Sequence, residues 1–311
     1  MIDDTVIKWL LSGDVSIQYQ VHRDLLKSPQ KKIKVLQARI PKEGWGKRLL
    51  ARQRPDGHWG KAYYQPKWIS THYTLMDLMS LGIPPLTPAI RKTVEMVFDN
   101  YIGEDGGIAF SKTSKTLKES DVCINGMDLG LGAYFKIADK KMHSVIDNIM
   151  NAQMRDGGWN CEHLQGAVHS SLHTTLSVLE GLLAYKNGGG RYRRNEITKS
   201  ENAAREFILA HRIYLSHRSG KIIDNKMLML SWPSRWRYDL LRCLDYFRAA
   251  GCARDSRMDD ALEVLARKKR SDGRWPLQAK HPGQVHFDME KPGSPGRWNT
   301  LRALRVIAAF G

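Results

Sequence analysis

Residues 149–161 read IMNAQMRDGGWNC, and the fold turns on how this stretch is read. An apolar, helix-like run ends at an Asp-Gly pair, and a tryptophan follows. Asp-Gly is a strong turn signal, because glycine takes the left-handed backbone without steric cost and aspartate hydrogen-bonds the backbone just after it. The pattern recurs in LLARQRPDGHWG (49–60), YIGEDGGIAF (101–110) and LARKKRSDGRWPL (265–277), and LSHRSGKIID (215–224) is a degraded copy. The marking glycines, Gly57, Gly106, Gly157, Gly220 and Gly273, lie 49, 51, 63 and 53 residues apart. A unit of about 50 residues repeated along the chain defines a repeat architecture.

Between the turns the apolar residues are spaced by three and four, as on one face of a helix. HYTLMDLMSLGI (72–83), NGMDLGLGAYFKI (125–137), HTTLSVLEGLLAY (173–185), RYDLLRCLDYFRAAG (237–251) and NTLRALRVIAAFG (299–311) are the expected helices. Each unit reads as a turn, an extended loop and a helix, followed by a second helix leading to the next turn. Residues 1–45 add a further helix pair, with Ser12 or Asp14 available to cap its second helix. The expectation is an all-α chain, an α/α toroid of about six helical hairpins in one domain over 1–311, with five repeats in 46–311. The glycine-rich stretch NGGGRYRRNEITKS (187–200) reads as a surface loop within it.

The chain has 311 residues, long enough to bury a large core, and a formal charge of +17. That charge favours anionic partners, although the basic residues are spread along the chain. Its four cysteines are too sparse for a disulfide framework and suit a reducing compartment. Its apolar runs are too short to span a bilayer, and the N-terminus lacks the pattern of a signal peptide. These features set the expectation of a cytoplasmic protein.

QRPDGHWG, QMRDGGWN and KKRSDGRW resemble the Gln/Trp repeats of the terpenoid cyclase and protein prenyltransferase superfamily. The resemblance covers roughly residues 45–311 and implies an α/α toroid whose inner-helix N-termini line a central cavity. The Asp-x-Asp-Asp motif of the protonating cyclases is absent from the sequence. In the prenyltransferase branch a zinc ion is held by an Asp-x-Cys pair before one inner helix and a His opening a later one. KESDVCINGMDLGLGAYF supplies Asp121 and Cys123, and LHTTLSVLEGL supplies His173, in the same order in consecutive repeats. The resemblance therefore implies a zinc site at Asp121, Cys123 and His173.

The residue chemistry supports the same site independently. A thiolate, an imidazole and a carboxylate are suitable zinc ligands, and a catalytic zinc uses three protein ligands with an open fourth position. Cys161 and His169, in DGGWNCEHLQGAVHSSLH (156–173), fall in the same unit as His173. His169 would share a face with His173 if the helix began early. In the alternative reading Cys161 packs under Trp159, the histidines satisfy backbone groups, and Cys123 is a small buried hydrophobe.

Other cavity candidates occupy the same place in their repeats. Trp68, His72 and Tyr73 precede or open one helix; Trp236, Tyr238 and Asp239 open another, and Arg297, Trp298 and Asn299 a third. His72, Tyr73, Tyr238 and Asp239 are the acid–base candidates. Trp68, Trp236, Arg297, Trp298 and Asn299 would bind substrate, the aromatics suiting an apolar ligand and the arginine a phosphate. The expected function is a zinc-dependent prenyl- or alkyl-transferase-like enzyme acting on an isoprenoid or other apolar or phosphorylated small molecule, with or without a partner subunit. Two alternatives stay open: a metal-free terpene-cyclase-like protein, and a basic helical-repeat binding protein whose affinity for nucleic acid would fall steeply with salt.

Overall fold

The computed structural model describes residues 3–111 and 113–311, which are helical with no strand longer than an isolated bridge. The helices in chain order are α1 (Asp4–Leu11), α2 (Val15–Gln20), α3 (Gln30–Arg39), α4 (Gly44–Leu50), α5 (Thr71–Leu81), α6 (Pro88–Asn100), α7 (Ser114–Lys118), α8 (Val122–Tyr134), α9 (His143–Asn151), α10 (Leu172–Asn187), α11 (Arg194–Ala210), α12 (Leu240–Ala249), α13 (Asp259–Arg267) and α14 (Arg297–Phe310). A π-helical turn over Val21–Leu25 follows α2. Asp14, not Ser12, caps α2, its carboxylate accepting the Ser16 N–H at 2.9 Å. The chain packs as two compact units, residues 53–79 with 85–208, and residues 1–52 with 80–84 and 209–311.

The sequence repeat is a structural repeat. Gly57, Gly106, Gly157, Gly220 and Gly273 all lie in the left-handed region, with φ between 66° and 93°. In four copies the turn closes with the same pair of backbone bonds. Gly57 N–H reaches the Arg54 carbonyl, Gly106 that of Gly103, Gly157 that of Met154 and Gly273 that of Arg270, at 2.9–3.1 Å. The carbonyl of the residue after each glycine then accepts the N–H of the residue that opens the turn, as from His58 to Arg54 and from Gly158 to Met154. The copy at Gly220 is one residue longer, its N–H bonding to Ser216.

The residue after the turn is clasped from the helix that follows. The hydroxyls of Thr71, Thr175 and Thr300 accept the backbone N–H groups of Trp59, Trp159 and Trp275 at 2.9–3.0 Å. Each hydroxyl then lies 3.3–3.4 Å from the carbonyl of the same tryptophan, as its donor. Where the tryptophan is replaced by Ile108, Asn125 Oδ1 accepts its N–H instead, at 2.6 Å. The indoles of Trp159 and Trp275 donate at 2.7 Å to carbonyls ten residues upstream, Ile149 and Leu265. Gln53 and Gln153 each return a side-chain N–H to the turn glycine's carbonyl. The Gln, Gly, Trp and Thr of a repeat are thus one hydrogen-bonded device joining an outer helix to the next buried one. Thr300→Val keeps the shape but strands a buried N–H and a carbonyl, so it should cost about 1–3 kcal/mol in urea unfolding; no measurable loss would show that the clasp contributes nothing.

Helices that follow a turn are buried on nearly every side, whereas those that precede one bury a single stripe. In α8 the residues from Ile124 to Ala133 are all buried, which suits the all-round apolar pattern NGMDLGLGAY. In α9, by contrast, Val145, Ile146 and Ile149 form the buried face. The backbones of α8 and α10 meet where glycines leave room: a Cβ built on Gly181 would stand 2.0 Å from the Gly126 carbonyl oxygen. Asp259 and Asp260 form the first turn of α13, where carboxylates are favoured by the helix dipole.

Candidate functional site

The clasp sets a common register. Counting back two residues from Thr71, Asn125, Thr175 and Thr300 gives Ile69, Cys123, His173 and Trp298. Cys123, His173 and Trp298 are each the second residue of their helix, α8, α10 and α14. Cys123 and His173 therefore hold equivalent positions in successive repeats, while Asp121 precedes α8 as its N-terminal flanking residue.

Cys161 comes from the loop between Trp159 and α10, and its sulfur lies over the start of α8. It accepts the Cys123 backbone N–H at 3.4 Å and the Thr174 hydroxyl at 3.5 Å. The interaction of the two thiols, with burial second, pushes the Cys123 thiol well up, and the nearby negative charges of Cys161 and Asp121 add to it. Cys161 moves the other way: its interaction with the Cys123 thiol lowers it most, burial opposes, and the Thr174 hydroxyl and Cys123 N–H lower it further. Of the pair, Cys161 is the better thiolate. Burial raises the Asp121 carboxyl against the pull of Lys67 and Lys115.

Beside the thiols lies a buried polar cluster anchored on α5 and α8. Tyr63 donates its phenol proton to Asp128 Oδ2 in a short hydrogen bond, and His72 Nδ1 lies 3.3 Å from Asp128 Oδ1. Because the Tyr63 proton goes to the carboxylate, the contact between its oxygen and Nδ1, 3.1 Å, requires the proton on Nδ1. With Nδ1 so engaged, Nε2 is the ring nitrogen left to exchange a proton. That nitrogen is fully buried and makes no hydrogen bond. Burial and the Asp128 charge push the Tyr63 phenol far up, so it stays a donor. Tyr64 links the two groups: its ring lies 5.3 Å from that of His72, its hydroxyl bonds Tyr73 at 2.8 Å, and Cys123, Asp121 and Asp128 are near enough to add to the rise that burial imposes on it. Trp68 packs edge-on against Tyr73 at 4.9 Å, and Phe110 lies 5.5 Å from Tyr64. The result is an apolar aromatic wall beside an Asp–His pair and two thiols.

The remaining expected ligands do not close around the sulfurs. Among the described residues no three His, Cys, Asp or Glu side chains gather closely enough to hold a metal ion. His169 lies outside the helix and is exposed, because α10 begins only at Leu172, with Ser171 as its cap. The i, i+4 pairing of His169 with His173 is therefore not formed. Ser170, held by the Asp156 carboxylate at its N–H and hydroxyl, fixes the chain short of it.

Candidates in the other unit carry structural bonds. Asp239 caps α12, accepting the Arg242 N–H at 2.8 Å, and also takes the Ser231 hydroxyl at 2.8 Å. Tyr238 donates to the Ile213 carbonyl, and Trp236 lies 6.4 Å from the His281 ring. Arg297 donates to the Trp9 carbonyl and lies over its indole. Trp298 stacks on Trp232 at 4.4 Å, and Asn299 donates to the Pro276 carbonyl. The Arg297 N–H, in turn, bonds the half-buried Glu290 carboxylate at 2.6 Å, and desolvation raises that group to about 7.

Asp128, Tyr63, Tyr64 and Thr174 are site residues that the sequence reading passed over. The available signal was an aspartate inside an otherwise apolar helix, MDLGLG, since a buried carboxylate needs partners. No helix among the described residues is long and apolar enough to cross a membrane. No protein-family model matches the chain, and no curated protein matches it.

Proposed function

We propose that the chain is an α/α-toroid enzyme resembling the terpenoid cyclases and protein prenyltransferases, acting on an apolar small molecule of isoprenoid or phosphorylated type. The observation that carries this reading is that the Cys123–Cys161 pair and the Asp128–His72 pair, both built on α8, flank the same residue, Tyr64. Asp128 fixes the His72 tautomer, so Nε2 is the base, and protonated it becomes the acid. Tyr64 and Tyr73 supply hydroxyls that donate, and Trp68, Tyr64 and Phe110 give an apolar wall for a hydrocarbon chain.

Cys123, Cys161 and Asp121 are suitable donors for zinc, with His173, in the register position of Cys123, or His169 to be brought in by loop movement. Zinc held there would act as a Lewis acid and activate a thiolate. The test has two readouts. The purified chain should contain zinc that is lost in Cys123→Ala and Cys161→Ala, and it should release diphosphate from farnesyl diphosphate about 100-fold faster than His72→Ala or Asp128→Asn. A chain that binds neither zinc nor farnesyl diphosphate would overturn the reading.

A further inference from the structure

The thiol pair has a second use that requires no metal. Cys161 Sγ faces the Cys123 N–H at 3.4 Å and the Thr174 hydroxyl at 3.5 Å, so it stands against the backbone of the residue that carries the second thiol. Cys123 is fixed in the first turn of α8, its helix held by backbone bonds such as that from Asn125 N–H to the Asp121 carbonyl. Cys161 stands on a loop whose Glu162, Leu164, Gln165, Gly166 and Val168 are exposed. Movement of that loop would bring the sulfurs together without disturbing α8. Cys243 is fully buried on α12, and Cys252 follows that helix.

We infer that Cys123 and Cys161 form a redox-active dithiol that reduces a hydroperoxide and closes to a disulfide. The Cys161 sulfur attacks the terminal peroxide oxygen; the O–O bond breaks, the alcohol or water leaves with one proton, and Cys161 becomes a sulfenic acid. The Cys123 sulfur then attacks that sulfur, the S–S bond forms, and water leaves with the Cys123 proton. Two thiols and one hydroperoxide give one disulfide, one alcohol or water and one water, and an external dithiol restores the pair by exchange. The donors facing Cys161 make it the sulfur that is oxidised, and the neighbouring Cys123 prevents oxidation beyond the sulfenic acid.

The experiment uses the whole chain after chelator treatment, so it does not depend on whether zinc binds. Reaction with equimolar hydrogen peroxide should lower the free thiols from four to two, and non-reducing peptide mapping should place the link between Cys123 and Cys161. In Cys123→Ser, dimedone should label Cys161; in Cys161→Ser, the label on Cys123 should be at least tenfold lower. His72→Ala should leave the link intact, which separates this site from the acid–base reading. Four free thiols after treatment, or links scattered over Cys243 and Cys252, would overturn the inference.

Discussion

Gly181→Ala should lower the stability of the chain by about 3 kcal/mol, whereas Gly130→Ala should leave it unchanged or raise it by up to about 1 kcal/mol. Both glycines lie in the interior of a buried helix, where alanine is intrinsically favoured because it leaves the unfolded chain less freedom to lose. What differs is the facing backbone. A Cβ on Gly181 would stand 2.0 Å from the Gly126 carbonyl oxygen and 2.8 Å from its carbon, whereas a Cβ on Gly130 meets nothing nearer than the Gly181 Cα at 3.6 Å. Backbone atoms held in a helix cannot swing aside as a flexible side chain can. Relieving the Gly181 clash therefore requires α8 and α10 to move apart.

Urea titration followed by circular dichroism would read both effects as shifts of midpoint at constant slope. Equal losses in the two variants would show that the close approach of these helices is not what the glycines serve. The effect reaches the site, because Cys123 begins α8 and Thr174 lies in the first turn of α10. Separating the helices would lengthen the contacts of both with the Cys161 sulfur.

The repeat was legible because its parts lie close together in sequence. An Asp-Gly turn, a following tryptophan and an apolar run of helical period are local signals, and the five marking glycines all take the left-handed backbone those signals demand. Helix starts were legible to within a few residues, since Ser171 and Asp239 are side-chain caps that stand directly before their helices. The meeting of Cys123 with Cys161 followed from register, since one opens a helix and the other sits in the loop before the next.

What the sequence concealed depends on direction. Asp128 reads as one polar residue in an apolar helix, and only the fold aims it at Tyr63 and His72, more than 50 residues upstream. The placement of His169 outside α10 depended on where the Ser170–Asp156 contact stops the loop, which periodicity does not encode. The arginines of α14 belong to the same class. RALRV looks like a helix with a charged stripe, yet Arg302 and Arg305 are buried.

Replacing Arg305 with methionine should cost about 3–5 kcal/mol at neutral pH, and that deficit should shrink as the pH falls below about 4. Arg305 joins two carboxylates from different elements, Asp24 of the π-helical turn at 2.7 Å and Asp245 of α12 at 2.8 Å. For Asp24, burial works against the charge, but the hydrogen bond from Arg23 and the charge of Arg305 outweigh it and hold the group at about 2. For Asp245, burial is likewise outweighed by the charges of Arg305, Arg248 and Arg302, which lower it.

A carboxyl held below its unfolded value stabilises the fold at pH values above that unfolded value. The contribution is lost as the pH falls through the folded value, here toward about 2 for Asp24. Without Arg305 both carboxylates titrate higher, so the variant sheds its buried charges earlier in the acid range while the parent still relies on them. The two stability curves should therefore converge between about pH 4 and about pH 2. Methionine preserves most of the side-chain volume, so packing alone would give a small deficit with little pH dependence. A deficit that stays constant across that range would mean that Arg305 acts through contact with its neighbours and not through the two charges it joins.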